Sequence, residues 1–152
     1  MQKILPFLWF DTQAEDAANF YVSVFKNSKI LSKTTYQTET PSNLPVGSVM
    51  TISFVLDGQE ITALNGGPIF KFNEAISFVV TCKNQEEIDY YWEKLSAVPK
   101  SEQCGWLKDR FGLSWQIVPE NLGELIKTEK ATQAMLKMKK IVIKDLENVN
   151  SI

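Results

Sequence analysis

The segment Asn84-Gln85-Glu86-Glu87-Ile88-Asp89-Tyr90-Tyr91-Trp92-Glu93-Lys94-Leu95 reads as an amphipathic helix with a marked start. Asn84 and Glu87 stand three apart, a capping-box-like spacing in which both side chains reach orphan amides of the first turn. Ile88, Tyr91, Trp92 and Leu95 then share one helical face. Displaced by about 71 positions, the same pattern occurs earlier in the chain: Thr12 and Glu15 have the capping spacing, and Ala17, Phe20, Tyr21 and Val24 match the four apolar positions one for one. Two helices with a shared phase imply a duplicated supersecondary unit.

The flanking segments fit that frame. Lys3–Phe10 is short, apolar and aromatic, as suits a strand, with Pro6 tolerated at an edge or where no ladder donor is needed. Three segments of β character follow the first helix, Ile30–Tyr36, Val49–Leu56 and Glu60–Asn65, the last two joined by Asp57-Gly58, a favoured hairpin turn. In the second copy, Ala75–Thr81 is the first strand. Gln103–Lys108 and Leu113–Val118 flank a turn at Asp109-Arg110-Phe111-Gly112, and one further strand is expected near Val98–Ser101. The expected fold is α+β, two tandem βαβββ modules forming a cupped mixed sheet plus C-terminal helices. Residues 1–119 form the domain, with module one at 1–65, a linker at 66–74 that contains Gly66-Gly67-Pro68, and module two at 75–119.

Residues 120–152 form a helical extension rich in Lys, Glu, Met and Leu. Ala131, Ala134, Met135, Met138, Ile141 and Val142 give it the stripe of an amphipathic helix, to be buried on its own sheet or on a second subunit. Its other face, with six Lys and five acidic residues from Glu120 onward, reads as a solvated surface, not a basic membrane patch.

Composition narrows the function classes. The 152 residues contain 16 Lys and Arg, 18 Asp and Glu, and no His, for a net charge of −2. No positive field exists to concentrate nucleic acid or anionic lipid, so neither partner is expected. The missing imidazole removes the commonest general base and a leading ligand for zinc, copper and non-haem iron. Cys82 and Cys104 are too few for a disulfide scaffold and too widely spaced for a metal knuckle, and they read as reduced thiols. The chain reaches Asp11 before any apolar run attains signal-peptide or membrane-spanning length. A soluble, cytoplasmic protein is the expectation.

Tandem βαβββ modules are the architecture of the vicinal oxygen chelate superfamily of glyoxalase-like, bleomycin-resistance-like and extradiol-dioxygenase-like proteins. Three stretches carry a closer likeness: Leu5-Pro6-Phe7-Leu8-Trp9-Phe10-Asp11; Ala63-Leu64-Asn65-Gly66-Gly67-Pro68 with Phe70-Lys71-Phe72-Asn73-Glu74-Ala75-Ile76-Ser77-Phe78; and Cys104-Gly105-Trp106-Leu107-Lys108-Asp109-Arg110-Phe111-Gly112-Leu113-Ser114-Trp115-Gln116. They resemble the PhnB-like family, often labelled 3-demethylubiquinone-9 3-methyltransferase-like. The tail around Met135–Ile141 also resembles what these proteins carry.

The resemblance implies where a superfamily metal site would fall: Pro6, Ala63, Ser77 and Gln116. Pro and Ala offer no side-chain donor, and neutral Ser and Gln are poor partners for a divalent cation. Glu60, three positions from Ala63 on an alternating strand, is expected on the opposite face. No metal and no other cofactor is therefore expected. The methyltransferase label implies S-adenosylmethionine, which α/β enzymes hold with a glycine-rich turn after the first strand. Here that turn is Phe10-Asp11-Thr12-Gln13.

Among individual residues, Cys104 invites a nucleophile reading, because Lys108 and Arg110 are near in sequence and positive charge lowers a thiol pKa; a small packed strand residue is the plainer reading. Cys82 reads as packing. Asp109 and Arg110 read as turn formers with a surface ion pair. Glu74 suits either a base at a pocket entrance or an exposed linker carboxylate. Asn65 and Gln116 suit either ligand contacts or structural hydrogen bonds. By strand parity Leu8 and Phe10 face the cup with Pro6, while Phe7 and Trp9 face the helices; Trp115 opposes Gln116 in the core. The expected pocket comprises Leu8, Phe10, Asn65, Phe70, Ser77, Trp106 and Gln116, with no catalytic set identified. The expected function is binding of a small apolar or aromatic metabolite by a homodimer in a metal-free cup. Methyl transfer or other metal-independent turnover is the alternative enzyme reading. A third reading is an interaction protein whose tail helix mediates the dimer.

Overall fold

The computed structural model describes residues 2–40 and 44–151. The chain divides into two compact units, Met1–Phe72 and Asn73–Ile152, each α+β with its own mixed sheet.

The first unit runs β1 (Phe7–Phe10), α1 (Ala14–Val24), β2 (Lys29–Thr35), β3 (Val49–Leu56) and β4 (Gln59–Asn65), the expected β-α-β-β-β order. Its sheet order is β1-β4-β3-β2, with β1 parallel to β4 and the other pairs antiparallel. Strand β1 starts at Phe7 rather than Lys3, just beyond Pro6, which has no N–H to give and instead accepts from the Thr62 amide at 3.1 Å. Asp57 and Gly58 take φ values of 45° and 88°, the left-handed pair that a primed hairpin turn requires.

Helix α1 corrects the capping expectation. Gln13, not Thr12, is its N-cap, and Gln13 makes no side-chain capping bond. The Ala14 amide instead donates to Asn65 Oδ1 at 2.8 Å, so a strand end caps the helix across the fold. The buried stripe of α1, which includes Ala14, Ala17, Ala18, Tyr21 and Val24, lies against β3 and β4, and the Tyr21 and Phe54 rings approach to 6.3 Å.

The second unit runs β5 (Phe78–Cys82), α2 (Gln85–Leu95), a 3-10 turn (Pro99–Ser101), β6 (Trp106–Lys108) and β7 (Ser114–Pro119), with sheet order β5-β7-β6. Asn84 caps α2 as expected, accepting from the Glu87 amide at 2.9 Å. The strand expected at Val98–Ser101 is this 3-10 turn instead. Pro99 suits its first position, and the edge is closed by Ala97 N–H to Lys108 O at 2.9 Å and Lys108 N–H to Ser101 Oγ at 2.9 Å. Gln103–Lys108 is likewise not one strand. Cys104 and Gly105, at φ 41° and 90°, form a tight turn between Gln103 and Trp106, which exchange backbone hydrogen bonds. The first strand of this unit begins at Phe78 rather than Ala75.

The tail is not one amphipathic helix. It forms α3 (Leu122–Leu125), α4 (Glu129–Leu136) and α5 (Ile143–Asn150). Between α4 and α5, tertiary partners replace helical bonds: Cys104 and Gly105 amides donate to Met138 and Lys139 carbonyls at 2.6 and 2.8 Å. The Gln85 side chain donates to Ile141 O at 3.0 Å and accepts from Ile143 N–H at 2.8 Å. Val118, Leu125, Ala131, Ile141 and Leu146 form a buried cluster, with Met135 and Met138 packed against it. The stripe is thus buried within its own unit. No helix among the described residues is long and apolar enough to cross a membrane.

Candidate functional site

Strand alternation gives each sheet two faces, and packing fixes which one α1 covers. Phe54, in ring contact with Tyr21 of α1, pairs with Ile61; Ile52 and Leu8 both pair with Ala63, and Phe10 with Asn65. All lie on the α1 face. Leu8 and Phe10 are buried there, and Phe7 and Trp9 belong to the opposite face, the reverse of the expected parity. Asn65 is engaged at both ends of its amide, since Oδ1 caps Ala14 and Nδ2 donates to Val49 O at 3.1 Å, while its backbone carbonyl accepts from the Tyr36 hydroxyl.

The opposite face of the first sheet is aromatic at one edge and hydroxyl-rich across its width. Phe7 pairs with Thr62, and Thr62 with Ser53, whose hydroxyls lie 3.1 Å apart. The next row places Trp9 beside Leu64 and Thr51, and Thr51 shares a 2.6 Å hydroxyl contact with Thr34. Phe70 meets the Trp9 ring edge-on at 4.9 Å. Phe7 is 59% exposed and Phe70 62%. The Trp9 indole N–H donates to Gly67 O at 2.9 Å, and a Cβ on Gly66 would come 2.7 Å from Trp9 Cη2, so the Gly66-Gly67 pair provides the close approach on which this ring packs. Sequence reasoning missed Phe7, Trp9 and Thr62 because period-two alternation by itself leaves the choice of face open.

In the second unit three expected residues come together. Val79, Gln116 and Trp106 form one cross-strand row, and Gln116 Nε2 donates to Ser77 Oγ at 3.0 Å. Along the same face Lys108 pairs with Ser114, and the Lys108 ammonium forms an ion pair with Glu74. That contact, through hydrogen bonding first, holds the Glu74 carboxyl below its ordinary range. The adjoining row of the other face, Phe78–Trp115–Leu107, places Trp115 and Leu107 in the core, as expected for Trp115, with Phe78 half-buried beside them. Asp109 is fully buried rather than a surface residue: it accepts from the Phe111 and Leu113 amides at 2.8 and 3.1 Å and from the Trp115 indole at 2.8 Å.

The residues do not fit the superfamily metal. Ala63 has no donor and faces α1, Ser77 and Gln116 bond each other, and Glu60, on the opposite face from Ala63, has no imidazole to join it. Among the described residues no three His, Cys, Asp or Glu side chains are grouped to hold a metal ion. Neither thiol is shifted toward the thiolate. Burial raises the Cys104 thiol pKa, opposite in sense to the depression expected from nearby cations, and burial with Glu87 pushes Cys82 up to about 12.

The family model for 3-demethylubiquinone-9 3-methyltransferase matches residues 2–118 and ends before the tail helices. The PhnB protein from Bacillus cereus is 38% identical, with TM-score 0.63 over 77% of this chain and 99% of its own. Protein PA1353 from Pseudomonas aeruginosa, 16% identical, shares the fold at TM-score 0.57 over 78% of this chain and 98% of its own. A glyoxylase/bleomycin resistance protein/dioxygenase domain from Frankia sp. EAN1pec is a more distant likeness, 11% identical at TM-score 0.47 over 78% of this chain and 93% of its own. No curated protein matches.

Proposed function

Since the chain belongs to the PhnB-like 3-demethylubiquinone-9 3-methyltransferase family, a family of the vicinal oxygen chelate fold, we propose that it binds a small apolar or aromatic metabolite without a metal, on the sheet faces that α1 and α2 leave open. The observation that carries this reading is Phe7 and Phe70, large and mostly exposed, beside the half-buried Trp9 and the Ser53–Thr62 hydroxyl pair. Exposed aromatic surface forgoes about 25 cal/mol per Å² until something covers it, and neighbouring hydroxyls can donate to or accept from a ring substituent. Phe70, Ser77, Trp106 and Gln116 remain contact candidates, with Phe7, Trp9 and Thr62 added.

Methyl transfer is the second reading, favoured by the name of the matched family. Against cofactor binding in the usual α/β manner, the Ala14 amide at the start of α1 already has Asn65 as its acceptor. A thermal-shift panel of aromatic metabolites, run with and without S-adenosylmethionine, separates the readings. A ligand at a hundred times its Kd stabilises by about 2.7 kcal/mol. Shifts with aromatic ligands alone support binding; a shift with the nucleoside cofactor supports the transferase. Stoichiometric transition metal in untagged protein overturns the metal-free reading.

The exposure of Ile4, Ile69, Ile76 and Val79 supports a homodimer. Light scattering of the full chain tests it, and a monomer mass removes it. The two free cysteines support residence in the cytoplasm.

A further inference from the structure

Lys108 and Glu74 are an unequal pair. The Lys108 side chain is 26% exposed, on the same face of the second sheet as Gln116 by its register with Ser114; the Glu74 side chain is 62% exposed, on a turn that Asn73 Oδ1 fixes by accepting from the Ala75 amide. A lysine whose side chain is mostly covered favours an anionic partner at its head, whereas an exposed glutamate gains little from the contact and is easily exchanged. Opposite Lys108, Ser114 is 1% exposed and its hydroxyl has no hydrogen-bond partner among the described residues. Such a buried O–H calls for an acceptor. Next along the same face lies the apolar row of Trp106 and Val79 flanking Gln116.

We propose that Glu74 is an internal stand-in for a carboxylate of the ligand: an aromatic or apolar monocarboxylate displaces it, one oxygen pairing with Lys108 and the other accepting from Ser114, while the ligand's body lies along Trp106 and Val79. This rests on the metabolite-binding reading and names the ligand class for the second sheet. A carboxylate is favoured over a tetrahedral oxyanion because it replaces Glu74 like for like, and its two oxygens match one ammonium and one hydroxyl.

The test is calorimetric titration of the full chain with 2-naphthoate and its neutral analogue 2-naphthamide. Glu74→Gln removes the competitor, so 2-naphthoate binds about threefold tighter. Lys108→Met weakens it on the order of tenfold, and Ser114→Ala weakens it less. Binding of 2-naphthamide changes with none of these. Thermal melts establish that each variant is folded, and Glu74→Gln, an exposed change, decides the matter if Lys108→Met is not. Unchanged or weaker 2-naphthoate binding in Glu74→Gln overturns the stand-in. If the amide binds as well as the acid and no variant matters, the stand-in falls while metabolite binding survives. If neither probe binds the parent protein or Glu74→Gln, both readings fall.

Discussion

Asn65 Oδ1 accepts the Ala14 amide hydrogen at 2.8 Å across 51 residues of chain. The end of β4 therefore supplies the N-terminal cap of α1, and Gln13, at the capping position, contributes no side-chain bond. Removing this amide affects three elements together, because Nδ2 also donates to Val49 O at the start of β3.

Asn65→Ala is expected to destabilise the protein by about 2 kcal/mol, from one lost cap and one carbonyl left without its donor. Asn65→Asp should cost less, since it keeps the acceptor at a helix N-terminus, where negative charge is favoured. Urea denaturation of both variants checks the order. An Asn65→Ala midpoint equal to the parent's refutes the cap.

Gly66→Ala should cost about 2 kcal/mol, because the new methyl overlaps the Trp9 ring. The cause is specific to that ring, so the penalty should shrink in a Trp9→Leu background. A double-mutant cycle measures the difference, and additive effects would refute the ring as the obstacle.

The tail is held to α2 by the Gln85 clamp and by Lys140 against Asp89 at 2.8 Å. Hydrogen bonding to Lys140, then to Gln85, lowers the Asp89 pKa from its ordinary 3.8. A carboxyl depressed in the fold contributes stability above its unfolded pKa and loses it as pH falls through the folded value. The tail should therefore loosen in acid below about pH 4. The Cys104 and Gly105 amides, which donate to Met138 and Lys139, should show reduced protection factors in hydrogen exchange at pH 3 relative to pH 6. Asp89→Asn should remove most of that pH dependence, and an undiminished response in the variant would assign it elsewhere.

Both thiols should be slow to alkylate in the native state at pH 7.5. Cys82 is buried with its pKa pushed up to about 12, and burial raises Cys104 as well. Iodoacetamide labelling followed by mass spectrometry should report two fast sites only in denaturant. Rapid native labelling of Cys104 would restore it as a reactive group.

Much of the fold was legible where the signal is local. The matched stripes of α1 and α2, the Asn84 cap and the Asp57-Gly58 turn each depend on residues within a few positions of one another. The 3-10 turn at Pro99–Ser101 and the Cys104-Gly105 turn were not legible, because a side-chain acceptor on Ser101 and the carbonyls of Met138 and Lys139 stabilise them from outside. The faces of the strands were less legible. Ser77, Trp106 and Gln116 lie together in the second unit, but Leu8 and Phe10 exchange places with Phe7 and Trp9.

By itself, the sequence determined the helix phases, the hairpin turn and the family, and its lack of histidine determined that no imidazole-based chemistry is available. These follow from short-range periodicity and from composition, which need no knowledge of neighbours. Only the tertiary structure decided which face of each sheet is open, that Asn65 caps α1, and that the tail breaks into short helices. Alternation in a strand is symmetric between its two faces, and that symmetry is broken only when a helix such as α1 buries Phe54, Ala63 and Asn65 on one side and leaves Phe7 in water on the other.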